Sequence, residues 1–176
     1  MADSRVTGYA DALFAVAAAE GELATVEDEL FRFAQTLRSD EQLGSTLADQ
    51  GVPASRRQQV VEDLLSGKAS ATTTALVSMV VGAGRAADLP AIVDALVERS
   101  AASRNKSVAT VRSAVDLTAE QRDRLASAIN TRTGRDVEIK VVIDPTVLGG
   151  VVTEIGDDII DGSVRRRLNQ LRESFR

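Results

Sequence analysis

Apolar residues recur at steps of three and four through roughly the first hundred positions, which is the spacing of one helical face. Tyr9, Ala10, Leu13, Phe14 and Ala17 form the first such face, with Thr7 as candidate cap and Gly21 as stop. A second helix is predicted from Leu23 to Leu37, with Leu23, Val26, Leu30, Phe33, Ala34 and Leu37 at helical spacing. Ser39 is placed to cap a short third helix bearing Leu43 and Leu47. Pro53 suits the first turn of a fourth, in which Val60, Val61, Leu64 and Leu65 face inward and Gly67 ends the run. A fifth spans about Ser70 to Val81, with Ala75, Leu76, Met79 and Val80 apolar, and Gly82-Ala83-Gly84 breaks it. The sixth opens near Leu89-Pro90, carries Ile92, Val93, Leu96 and Val97, and is extended by the polar stretch Glu98–Lys106. Short connections between six amphipathic segments predict a helical bundle.

Near Ser107 the period changes to alternation, with Val108, Thr110 and Arg112 reading as a strand. Thr118 with Gln121 three residues on forms a capping box for a helix that carries Leu125, Ala128 and Ile129 and stops at Gly134. Val137–Ile143 is a β-branched run followed by the turn pair Asp144-Pro145. Two further short strands, Val151–Ile155 and Ile159–Ile160, flank Gly156-Asp157-Asp158. Asp161-Gly162-Ser163 then opens a last helix, whose Val164, Leu168, Leu171 and Phe175 lie on one face. The predicted fold is mostly α: an N-terminal six-helix bundle over 1–104, then a small α/β domain over 105–176.

Composition sharpens this picture. At 176 residues the chain can bury a sizeable core as one domain or two small ones. Aromatics are only 3% and alanine fills much of the 44% hydrophobic share, which favours close-packed helices over a β-sandwich. The chain has no Cys and no His, so disulfides, His- or Cys-ligated zinc and His-dependent triads are excluded. A net charge of −5 opposes general binding to nucleic acid or anionic membranes. No apolar run reaches the roughly 20 residues that span a bilayer, and the acidic N-terminus has no signal-peptide core. A soluble cytoplasmic protein is expected, without direct membrane insertion.

Each candidate for chemistry has a plainer reading. Leu148-Gly149-Gly150 lacks the Lys-Ser/Thr of a phosphate loop and precedes a strand, so a turn with positive φ or close backbone approach explains it better. Asp157, Asp158 and Asp161 do not have the spacing of a calcium loop and read as turn and capping residues. Arg165-Arg166-Arg167 fans around nearly a full helical turn, giving a solvated face more readily than an RNA stripe. No catalytic, cofactor-binding or metal-binding residue emerges. The first and fifth helices instead mix small alanines with Tyr9, Leu13, Phe14, Leu76, Met79 and Val80, a combination suited to a groove for a partner helix as well as to core packing.

Several of these runs resemble the δ subunit of bacterial F-type ATP synthase, the counterpart of the mitochondrial oligomycin-sensitivity-conferring protein. The family's C-terminal series of Asp, Gly-Gly, Gly-Asp and Asp-Gly-Ser is matched here by Asp144, Gly149-Gly150, Gly156-Asp157 and Asp161-Gly162-Ser163-Val164, followed by Arg165 and Leu168. Leu117-Thr118-Ala119-Glu120-Gln121 resembles the family's Leu-Thr-x-Glu-Gln helix start, and Tyr9–Phe14 resembles its first helix. Met79 to Arg85 is similar to the end of its fifth. Departures are Gly8, where many relatives carry a basic residue, and Gly82-Ala83, where a polar pair is usual.

The resemblance implies a stator subunit without chemistry of its own and without cofactors, peripheral at the cytoplasmic face of the membrane as part of the ATP synthase complex. It implies that the first and fifth helices receive the N-terminal helix of an α subunit, with Tyr9, Leu13, Phe14, Leu76, Met79 and Val80 as contacts. It also implies that the C-terminal domain meets the C-terminal region of the b subunits, for which Val164, Leu168 and Leu171 are the expected contacts. The competing expectation is an RNA-binding adaptor using the C-terminal α/β unit, which the acidic charge and scarce aromatics oppose.

Overall fold

A computed structural model of the chain describes residues 4–147, 149–156 and 158–163. The chain divides into two compact units, Met1–Ser100 and Ala101–Arg176. The described residues are mostly helical, with one small mixed sheet confined to the second unit.

The first unit holds α1 (Ser4–Ala19), α2 (Leu23–Ser39), α3 (Glu41–Ala48), α4 (Ala54–Leu65) and α5 (Ala71–Gly82). A 3₁₀ turn, Ala86–Asp88, leads into α6 (Leu89–Ser103), which runs across the division between the units. Leu89, Ile92, Val93, Leu96 and Val97 of α6 are fully or almost fully buried, as their three-four spacing predicts. On α2, Val26, Leu30, Phe33, Ala34 and Leu37 go inward as expected, Leu23 is only half-buried, and Phe31 and Glu27 join the buried set. The buried Glu27 carboxylate accepts a 2.6 Å hydrogen bond from the Ser100 hydroxyl, tying α2 to α6. Helix α5 is buried more widely than one stripe: Thr73, Leu76, Val77, Ser78, Val80 and Val81 are all inside. Ala75 lies at the surface instead, and on α4 only Val61 and Leu65 of the predicted four are fully buried.

Three helix starts differ from the sequence reading. α1 begins at Ser4, so Thr7 lies within the helix and caps nothing. Asp40, not Ser39, caps α3; its extended backbone lets Oδ1 accept the Leu43 N–H at 2.9 Å, whereas Ser39 ends α2. Pro53 stands one position ahead of α4, where its carbonyl accepts the Arg56 and Arg57 N–H groups. The buried Arg57 donates in turn to the Leu47 carbonyl at 3.2 Å, satisfying a group at the C-terminal end of α3 that has no helical partner.

The second unit contains β1 (Ser107–Ser113), α7 (Ala119–Thr133), β2 (Val137–Ile143), β3 (Val151–Ile155) and β4 (Asp158–Asp161). The strand order is β2-β1-β3-β4; β1 and β2 are parallel through the α7 crossover, while β3 and β4 form an antiparallel hairpin. The capping box that opens α7 is formed: Gln121 N–H donates to Thr118 Oγ1 at 3.2 Å and Thr118 N–H donates to Gln121 Oε1 at 2.9 Å. Gly134 ends the helix in the left-handed region with φ +69°. Register aligns Ala109 with Ile139 and Val111 with Thr153, so alternate residues share the face toward α7. Ala109, Val137 and Ile155 meet Ile129 there, with Leu125, Ile139 and Ile160 at the margin.

The glycine series closes the base of this hairpin. Gly149 and Gly150 have φ of +72° and +75°. A Cβ on Gly150 would stand 2.6 Å from the Gly162 carbonyl oxygen, closer than any side chain tolerates. Gly162 N–H donates to the Val151 carbonyl at 2.9 Å, so the Gly-Gly and Asp-Gly-Ser elements touch. Positive φ and close approach are therefore the reason for these glycines. β4 is wider than predicted, because Asp158 and Asp161 pair with Ile155 and Val152. The predicted last helix lies outside the described residues.

Candidate partner interface

Helix α1 attaches through a narrow stripe. Ala10, Leu13 and Ala17 are its buried residues, while Tyr9 and Phe14 are half-buried. The opposite face presents Gly8, Ala12, Ala15 and Ala19, spaced four, three and four, and all exposed. Such small side chains let another helix approach closely, and Val16 beside them is 42% exposed. From α6, the Arg99 guanidinium lies 5.4 Å from the centre of the Phe14 ring and pairs with Asp11 at 3.2 Å. This clasp fixes the Phe14 side from above while leaving the small-residue face open.

Helix α5 offers a second face of the same kind. Ala71, Ala75 and Met79 follow at steps of four and are exposed, Met79 by 45%. The helix start is held firmly. Ser70 Oγ accepts the Thr73 N–H, and the Glu29 carboxylate of α2 accepts both the N–H and the hydroxyl of Ser70, each at 2.9 Å. Burial pushes the Glu29 pKa up, but hydrogen bonds from Thr73 and Ser70, with Arg32 nearby, outweigh it and hold the group below its ordinary value. α2 packs against both α1 and α5.

The six side chains expected at this interface therefore separate by depth. Leu13, Leu76 and Val80 are in the core, with exposures of 0%, 5% and 0%. Tyr9 and Phe14 sit half-buried at the edge, and Met79 stands out into solvent. On a helix otherwise buried from Leu76 to Val81, Met79 alone turns outward. Spacing alone did not tell these layers apart. The exposed face of α1 was missed, although its four-three-four run of small residues is a local signal that could have shown it; the Arg99 clasp has no such signal, because α6 is far away in sequence. Val164, Leu168 and Leu171 lie outside the described residues.

The remaining candidates carry structure. Asp144 accepts the Thr146 N–H at 2.9 Å and its hydroxyl at 2.6 Å, forming the turn after β2. Those Thr146 hydrogen bonds, hydroxyl first, lower its pKa. Asp161 Oδ1 accepts the Ser163 N–H at 2.9 Å. Asp158 lies 3.7 Å from Arg135, and Asp157 is outside the described residues. Among the described residues no group of three or more acidic side chains is gathered to hold a metal ion.

The family model for the ATP synthase delta (OSCP) subunit matches residues 6–175, through both units. The chain belongs to that family. It is 40% identical over 175 residues to the ATP synthase subunit delta of Nocardia farcinica, a match covering 99% of this chain and 65% of the relative. To the ATP synthase subunit delta of Salinispora tropica it is 39% identical over 164 residues, covering 93% and 60%. The chain thus spans about 60 to 65% of the length of these curated relatives. Its fold is similar to a chain in the cryo-EM structure of the Toxoplasma gondii mitochondrial ATP synthase hexamer, with TM-score 0.58, 24% identity and 98% coverage of each chain. Among the described residues of this family member, no helix is long and apolar enough to cross a membrane.

Proposed function

We propose that this chain is a non-catalytic stator subunit of an F-type ATP synthase. It links the α/β head to the b subunits, so that the head resists rotor torque during proton-driven ATP synthesis. The observation that carries this reading is the family match across both units, since an adaptor needs both of its ends. The bundle, 1–104, is the head-side module, and 105–176 is the stalk-side module. In this reading the protein is peripheral to the membrane, on the cytoplasmic face, held there through its partners.

On the head side, the N-terminal helix of an α subunit lies against the exposed faces of α1 and α5. Tyr9, Phe14 and Met79 supply direct contacts, while Leu13, Leu76 and Val80 hold those side chains in place from beneath. Small residues such as Ala12 and Ala75 let the helix approach closely. On the stalk side, Val164, Leu168 and Leu171 remain the proposed contacts for the C-terminal region of the b subunits.

Calorimetric titration with a peptide copying the N-terminal helix of the cognate α subunit tests the head-side reading. One-to-one binding is expected, weakened at least about tenfold by Met79→Glu or Ala12→Glu, as for a buried hot spot. Both positions are exposed, so the variants keep their circular dichroism spectrum. Leu13→Glu is unsuitable, because a charge at a fully buried site unfolds the bundle. Failure of the folded wild type to bind, or indifference to both substitutions, would sink the proposal for this surface.

A further inference from the structure

An apolar recess lies on the bundle between α2, α3 and the end of α4, adjoining the start of α5 at Ala69. Phe33 of α2, Leu43 of α3, and Leu64 and Leu65 of α4 line a cavity of about 270 Å³. Phe33 and Leu65 form its buried floor, while Leu43 and Leu64 are half-exposed. Whole small ligands occupy pockets of roughly 300–1,000 Å³, and a dry cavity of about 150 Å³ accepts benzene. The recess therefore has room for one large apolar side chain rather than for a cofactor.

The charge at its mouth selects the flanking chemistry. Arg32 and Lys68 stand exposed at the rim. Arg32 Nε donates to the Asp28 carbonyl of its own helix and its charge acts on Glu29, while Lys68 pairs with no carboxylate among the described residues. Glu29 also borders the recess, but its carboxylate is engaged by Ser70. Residues 1–100 carry fifteen Asp or Glu against eight Lys or Arg, so a rim with two cations and one carboxylate that Ser70 already engages runs against the charge of its unit.

We propose that this recess between α2, α3 and the end of α4 is a docking site for an acidic peptide segment of a partner protein, which inserts one large apolar side chain and sets its carboxylates against Arg32 and Lys68. None of its lining residues belongs to α1 or α5, although Glu29 and Ala69 adjoin the Ser70 cap of α5.

The test is methyl NMR of the full chain, labelled at leucine, titrated with four capped pentapeptides. Each carries Leu, Met, Phe or Trp at its centre between two glutamates on either side, and each has a glutamine counterpart. At least one acidic peptide is expected to give saturable shifts centred on Leu43, Leu64 and Leu65. Its dissociation constant is expected to rise about fivefold or more with the glutamine counterpart, and likewise with Lys68→Glu, while Lys68→Arg retains binding. Absence of saturable shifts with all four peptides overturns the proposal. Equal binding by the glutamine counterparts, or shifts centred on Leu13 and Leu76, overturns it as well.

Discussion

Every helix of the bundle contributes at least one apolar side chain with no exposure: Leu13, Leu30, Leu47, Val61, Val77 and Leu89 in chain order. In the α/β unit the described apolar residues with no exposure are Ala109 and Val111 of β1. Its core cluster is Ala109, Ile129, Val137 and Ile155, and several of its turns depend on one backbone geometry. The two units also differ in charge, since residues 101–176 carry eleven acidic and thirteen basic side chains against the acidic excess of the bundle. A core shared among six helices leaves outer faces such as Gly8–Ala19 available for contact. In the smaller unit glycine and aspartate turns set the chain path around the β3–β4 hairpin.

The comparison breaks most sharply at a bundle leucine. Leu30→Ala is expected to cost about 2–5 kcal/mol, through lost burial and the cavity left behind. Urea unfolding followed by circular dichroism reads this; a loss under 1 kcal/mol would mean that the six-helix core is less shared than its burial indicates. Next is Gly150→Ala, which meets both positive φ and the Gly162 carbonyl. It is expected to cost about 1–3 kcal/mol, with faster amide exchange at Val151–Ile155 and unchanged protection in α2 and α5. Loss of protection in α2 would show that the two units do not separate their stability in this way.

Smaller in size and opposite in sign is Gly8→Ala. Nothing lies within 4 Å of the added methyl, and helical glycine is disfavoured, so a gain of about 0.5–1 kcal/mol is expected in thermal unfolding. The same substitution narrows the proposed helix-docking face, so the titration with the α-subunit peptide is its second readout.

The smallest effect is the pH dependence, which samples one carboxylate from each unit. Glu29 and Asp144 both have lowered folded-state pKa values, from ordinary values of 4.5 and 3.8. Each therefore contributes stability that is fully present above its unfolded pKa and is lost as pH falls through the folded value. Glu29→Gln and Asp144→Asn should each flatten the decline in stability on acidification from about pH 6 to pH 3. An unchanged slope in both variants would rule these two groups out as contributors to acid sensitivity.

Much of the bundle was legible because helical periodicity is a local signal. Leu89 to Val97 and Val26 to Leu37 declare their buried faces in the sequence. Helix ends were less secure: Asp40 displaced Ser39 as a cap because both are good capping residues and backbone geometry chose between them. Within the candidate interface, helical spacing did not reveal the layering. Leu13 and Phe14 are neighbours with the same hydrophobic character, and the packing of α1 decides that one is core and the other half-exposed. Glu27 as a core residue was equally hidden, since its partner Ser100 lies 73 positions away.

By itself the sequence determined the succession of helices, the change to strands near Ser107, the capping box at Thr118 and the glycine turns. Each depends on residues close along the chain, whose conformational preferences act without reference to the rest of the fold. Only the tertiary structure decided that α5 is buried widely and that Arg99 clasps Phe14. It likewise brought Gly150 against Gly162 and gathered Phe33, Leu43, Leu64 and Leu65 around one recess. Those arrangements join residues from separate elements, and their free energy exists only when packing excludes water and holds the partners at fixed distances.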